Sequence, residues 1–202
     1  MILAEIEAEN FLEKEGFPVA GKIVVEDKKQ LSAAAKKLGF PCVLKISSSE
    51  KTHKASIGGI KVLYNQSETE GIWEKFRKIS EEVNGKILLQ EFVAGKEILV
   101  GLKKDPVFGH VLLVGIGGGM TEIIRDINFK ILNGKIDAIS MIKELKNYKL
   151  IEKCNLNSIA GIIDKIASLS KKFPDIIELD INPLMADEKK AIVVDARIVR
   201  QA

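Results

Sequence analysis

Two rhythms share this chain, and the second one restricts the fold most. From Glu97 onward β-type runs follow one another with only turns between them: EILVGLKK, a turn at Lys104-Asp105-Pro106, VFGHVLLVGI, a turn at Gly118-Gly119, then TEIIRD and INFKIL. Turns that short join strands as hairpins. Two helices are expected near residues 137 to 146 and 156 to 172, and the chain finishes with DIIELDINPL and AIVVDARI, two apolar strands that carry acidic residues. Asp180 and Asn182 are two apart on the first of these and so face the same side. Pro183 then removes an amide donor and is expected to end the ladder.

The first half alternates instead. Ile2, Ile6, Phe11 and Leu12 suggest an amphipathic helix, Gly16 and Pro18 break it, and GKIVVED reads as a strand over about 21 to 26. Asp27 with Gln30 predicts a capped helix through LSAAAKKL, which Gly39 ends. CVLKI and IKVLY are strands on either side of a loop that holds His53. Ser67 with Glu70 repeats the capping signature and opens a helix with Ile72, Phe76, Ile79 and Val83 at helical spacing; Trp73 lies beside that stripe as packing. Asn84-Gly85 closes the helix, and the first lobe ends near KILLQEF. The organisation expected is residues 1–19 as a helix packing on the second lobe, 20–90 as a small lobe with the His53 loop, and 91–202 as a large lobe.

Composition removes several function classes. With 31 basic and 28 acidic residues interleaved along 202 positions, the net charge of +3 is not the field of a nucleic-acid binder. Anionic ligands must be held locally. Glu5, Glu7 and Glu9 stand where a signal peptide would need a basic start, and no run reaches the roughly 18 to 20 apolar residues of a membrane span. Cys42 and Cys154 have no metal-finger or CxxC spacing, which suits a reducing cytoplasm.

The chemistry-bearing residues are few. The chain has no P-loop signature, and GIGGGM fails as a dinucleotide fingerprint because a strand-like TEII follows it. Those glycines make either a tight turn or a turn whose amides approach an anion. Lys45 sits inside an apolar strand, projecting either into a cleft or into water; buried, it would need a paired charge or a ligand anion. Asp195 lies 13 residues after Asn182. A hairpin would set the two side by side as oxygen ligands for a hard cation such as Mg²⁺, unless they only cap strand ends.

Taken together, EAENFLEKEGFPVAG, GFPCVLKISS, HKASIGGIKVL, LLQEFVAGKEILVG, DPVFGHVLLVGIGGGMTE, ELDINPL and VVDARI resemble the ATP-grasp β subunit of NDP-forming acyl-CoA synthetases, relatives of succinyl-CoA synthetase. The resemblance covers most of the chain. It implies an α+β ATP-grasp fold, two α+β lobes with the nucleotide between them. It implies that Lys45 contacts the nucleotide phosphates, that Gln90, Glu91 and Val93 form the hinge that reads the adenine edge, and that Glu97 lies near the ribose or phosphate end. Asn182 and Asp195 match the magnesium ligands, with Asp180 beside them, and His53 matches a phosphohistidine on a travelling loop. In such enzymes an acyl-CoA and phosphate give an acyl phosphate on a CoA-binding α subunit, and the phosphoryl group passes through histidine to ADP. The implied setting is a cytoplasmic ligase with Mg²⁺ and ATP or ADP, working as an α2β2 heterotetramer without nucleic acid or membrane. The loop departs from the usual pattern at Ser49, Glu50 and Ser56. Two other readings stand beside this one: a carboxylate ligase of the same fold, and a nucleotide-binding regulatory module without catalysis.

Overall fold

The structure is a computed structural model; it describes residues 1–48, 58–117, 126–134 and 136–201. The chain divides into two compact units. One comprises residues 4–6 and 20–93, the other residues 1–3, 7–19 and 94–202. The histidine loop, the Gly118-Gly119 turn and most of TEIIRD lie outside the described residues.

In the unit containing residues 20–93, β2 (Lys22–Val25), β3 (Cys42–Ser47), β4 (Ile60–Leu63) and β5 (Lys86–Glu91) form an antiparallel sheet in the order β2-β5-β3-β4. Helices α2 (Lys28–Leu38) and α3 (Glu68–Glu82) supply Leu31, Ala34, Ala35, Trp73 and Phe76 to a core shared with Cys42, Leu44 and Ile46. Trp73 is packing, as its position beside the stripe suggested. Asp27 caps α2 by accepting from Gln30 N at 2.7 Å, while Gln30 Oε1 reaches back to Glu26 N at 3.1 Å. That is a capping exchange displaced by one residue. The second expected box does not form: Ser67 Oγ donates to Asn65 Oδ1 and caps nothing. Its nearer acceptor wins because Asn65 has folded into the turn that precedes the helix. Asn84 rather than Gly85 takes the left-handed conformation, with φ 47°.

The other unit is built on a larger antiparallel sheet. Its strands are β1 (Ile2–Leu3), β6 (Lys96–Asp105), β7 (Gly109–Ile116), β8 (Ile127–Ile131), β9 (Ile176–Ala186), β10 (Ala191–Val193) and β11 (Ala196–Arg200). The path runs β1-β11-β9-β6-β7-β8, with β10 paired to β9. Ile2, expected in the first helix, pairs with Val199 instead, and α1 starts at Glu5 and runs to Lys14. AIVVDARI is two strands, interrupted at Val194 and Asp195. Helices α4 (Ala138–Lys143) and α5 (Leu156–Lys172), with Ala8 and Leu12 of α1, cover one face, where Val100, Leu102, Leu179, Ile181 and Ile198 are buried. Asp126, also buried, accepts from Lys146 N, Asn147 N and the Asn147 amide, so its charge is spent on fixing the turn after α4. Among the described residues no helix is long and apolar enough to cross a membrane.

Pro183 does not end its strand. Ile98 pairs with Leu184 and Val100 with Ile181, so Leu99 on β6 faces two residues on β9, Asn182 and Pro183. This is a bulge, and a bulge is where a strand tolerates a residue with no amide proton. The extra residue shifts the alternation, so Leu179, Ile181, Leu184 and Ala186 all turn into the core. Glu178, Asp180 and Asn182 are left on the opposite face.

Candidate functional site

The unit of residues 20–93 contributes a buried charge. Lys45 lies on β3, with Leu88 of β5 opposite it on one side and Ile60 of β4 on the other, and it is buried. Neither sequence alternative describes it fully. Its Nζ donates to Glu5 Oε1 at 3.0 Å, and the two side chains are 6% and 2% exposed. Glu5 is the first residue of α1, and the next amide, Ile6 N, donates to Ser47 Oγ at 3.4 Å, tying that helix start to the end of β3.

At the end of β5, Gln90 is buried opposite Val43 and Lys22, whereas Glu91 is exposed and its amide donates to Gly21 O at 2.8 Å. Val93 follows, half-buried, outside the strand. Exposed Glu91 beside half-buried Val93 offers polar backbone and side-chain groups next to an apolar surface, the combination that an adenine edge and face require.

The other unit contributes oxygens. Asn182 N donates to Asp195 O at 3.1 Å, so the interruption between β10 and β11 lies directly against the β9 bulge. Asn182 is exposed and Asp195 half-buried. Asp180 sits on the same face over Gly101, where a Cβ would come within 3.0 Å of Asp180 Oδ1. Burial raises the Asp180 carboxyl above its ordinary value, with Glu178 adding to the rise and Arg197 and Lys103 opposing it. Arg197 in turn pairs with Glu178 at 2.8 Å. Glu97, exposed on β6 opposite Met185, is tied into the scaffold by its carbonyl, which accepts from Gly117 N at 2.8 Å. A Cβ at Gly117 would lie 2.6 Å from the Ile98 carbonyl carbon, so this glycine is a packing requirement of strands in contact.

The structure thus places Asp180 and Asn182 on one face of β9 with Asp195 in backbone contact with Asn182, and in the other unit sets Lys45, Gln90 and Glu91 on adjacent strands with Val93 just beyond the end of β5. His53 lies outside the described residues. Sequence reading missed Glu5. His110 is accounted for by its Nε2, 2.9 Å from Ile176 O. The two thiols are poor nucleophiles: burial, then Glu68, pushes Cys42 up to about 11, and burial raises Cys154 as well.

The ATP-grasp domain family matches residues 1–199. Subunit beta of ADP-forming acetate–CoA ligase I from Pyrococcus furiosus is 34% identical over 98% of this chain and 91% of its own length. ADP-forming acetate–CoA ligase II from Archaeoglobus fulgidus is also 34% identical over 98% of this chain, which spans only 30% of that longer protein. Acetyl-coenzyme A synthetase 1 of Ca. Korarchaeum cryptofilum, in complex with coenzyme A, Ca-AMPCP and HgCl+, superposes with a TM-score of 0.90 at 33% identity, over 99% of this chain and 93% of that one. A second structure of it, with coenzyme A and Mg-AMPPCP, gives a TM-score of 0.81 at 33% identity over the same shares; its phosphohistidine segment points towards the nucleotide binding site.

The chain belongs to the ATP-grasp family, and the mixed α and β architecture expected from the sequence is the one it has. Within that class it is a beta-type subunit of the ADP-forming acetate–CoA ligase group, a ligase subunit.

Proposed function

We propose that this chain binds the nucleotide in an ADP-forming acyl-CoA synthetase that converts acyl-CoA, ADP and phosphate into carboxylic acid, CoA and ATP. The observation that carries the reading is the backbone contact of Asn182 with Asp195 at the β9 bulge, which sets two oxygen-bearing residues side by side, with Asp180 two residues from Asn182 along the same strand. Among the described residues no group of three or more His, Cys, Asp or Glu could hold a metal ion unaided. A donor set of one amide oxygen and two carboxylates fits Mg²⁺, which retains waters and takes further oxygens from phosphates. Bound there, the ion would neutralise phosphate charge.

Lys45 supplies an ammonium to the phosphates, Gln90, Glu91 and Val93 meet the adenine, and Glu97 meets the ribose or phosphate end. His53 accepts the phosphoryl group from a histidine on a CoA-binding α subunit and passes it to ADP. The N–P bond breaks as the β-phosphate oxygen of ADP attacks, and the imidazole leaves with its lone pair. Imidazole suits this step because its ordinary pKa leaves a nucleophilic nitrogen near neutral pH. The partner carries the CoA and acyl sites in an α2β2 assembly, and the setting is the cytoplasm.

The test is covalent labelling. Chain and partner incubated with γ-labelled ATP and Mg²⁺ should place acid-labile, alkali-stable phosphate on this chain. His53→Ala should abolish both the label and ATP synthesis while still binding Mg·ADP. Normal turnover by that variant would favour a carboxylate ligase, and nucleotide binding without label or turnover in the wild type would favour a regulatory module.

A further inference from the structure

We propose that Glu5, as a counter-ion of Lys45, offsets the lysine's charge and thereby opposes the binding of nucleotide phosphate to it. The inference rests on the nucleotide role of Lys45 given above. Its basis is the 3.0 Å ion pair between side chains that are 6% and 2% exposed.

A buried ion pair is a weak stabiliser: desolvation offsets the Coulomb attraction, and an apolar pair of similar volume is often as good or better. Stability alone therefore gives no reason for a lysine and a glutamate here. A lysine kept for an anionic ligand does, because without its ligand it is an expensive buried charge. Glu5 cancels that charge from a fixed place. It opens α1, and the neighbouring Ile6 amide is held to Ser47 two residues along β3 from Lys45. Lys45 is equally fixed at its root, on a strand flanked by β4 and β5. The Glu5 contact engages one of the ammonium's three donors, so a phosphate brought to Lys45 meets Glu5 at the same ammonium. The carboxylate then faces the phosphate as a like charge, and the nucleotide binds against it.

Stability and affinity should consequently move in opposite directions. Glu5→Gln keeps an oxygen that can accept from Lys45 but removes the charge. It should lower the melting temperature of the nucleotide-free chain while tightening Mg·ADP binding roughly tenfold, the scale of one charge a few ångströms away in a partly screened site. A purely structural pair would lower the melting temperature and leave affinity unchanged, and a Glu5 that merely aims Lys45 would weaken affinity; either result overturns the proposal. Should Glu5→Gln fail to fold alone, Mg·ADP in the refolding buffer should restore it, and failure of that rescue overturns the proposal as well. Lys45→Met separates the two layers. Unchanged Mg·ADP affinity in Lys45→Met would remove the nucleotide role of Lys45 and this inference together. Weakened binding there without tightening in Glu5→Gln would remove this inference alone.

Discussion

Gly101 connects the packing of the large sheet to the proposed metal site, and Gly101→Ala tests that connection. A Cβ there would lie 2.9 Å from the Leu179 carbonyl oxygen, 3.0 Å from Asp180 Oδ1 and 3.3 Å from Leu113 Cγ. The carboxylate can rotate away, but the carbonyl belongs to the β6–β9 ladder and yields only if the strands part. Overpacking of this kind costs about 1–3 kcal/mol. Restricting the unfolded chain returns about 0.4–1 kcal/mol. The net loss of about 1–2 kcal/mol should lower the melting temperature by about 2–8 °C in a chain of this size. Because the flexible part of the clash is Asp180 itself, Mg·ADP affinity should fall several-fold by titration calorimetry. Gly109→Ala is the control: its φ of +72° makes alanine strained, yet nothing lies within 4 Å of the new carbon. It should lose stability without losing affinity. A Gly101→Ala chain that melts with the wild type and binds Mg·ADP equally well would refute the account of Asp180 as a carboxylate seated over a glycine.

Asp195→Asn and Asn182→Ala should each weaken Mg²⁺-dependent nucleotide binding with little change in fold, because the contact that joins the two residues is between backbone groups and survives both substitutions; unchanged calorimetric affinity in both would remove the metal assignment. Acid should destabilise the chain. Asp137 is held below the ordinary carboxylate value mainly by the Ser140 amide and hydroxyl, and Asp175 mainly by Arg200. Folded values below the unfolded ones mean that the unfolded chain binds more protons, so the stability is present above about pH 4 and is lost as pH falls through the folded values. Asp137→Asn should therefore show a smaller fall in melting temperature between pH 7 and pH 3 than the wild type, and an identical fall would contradict this.

The succession of strands was legible because apolar alternation and turn residues are local signals; β6, β7, β9 and the four strands of the smaller sheet fall where those signals lie. The departures come where a second element supplies the missing term. Ile2 reads as the start of a helical stripe until β11 offers it a strand partner. Pro183 reads as a strand end until β6 absorbs one extra residue. Asn182 and Asp195 were legible as neighbours because the interval between them is the length of a hairpin with its turn.

Glu5 shows why a site can be half legible. In α1 the buried positions are Glu5, Ile6, Ala8, Glu9 and Leu12, so two carboxylates occupy the stripe that packs inward. Glu5, Ala8, Glu9 and Leu12 follow the i, i+3, i+4, i+7 spacing of a helix face. The pattern was visible, but an apolar count passes over acidic residues and assigns them to solvent. A carboxylate on the inward stripe of an amphipathic helix implies a cation somewhere else in the fold, and an apolar strand containing one lysine is where such a cation would be sought. Lys45 and Glu5, forty residues apart, each break a local rule, and each breach explains the other. Two buried charges in separate elements, each inexplicable alone, are therefore a sequence-level sign of contact, and the Glu5→Gln and Lys45→Met variants test whether that contact serves the ligand as well as the fold.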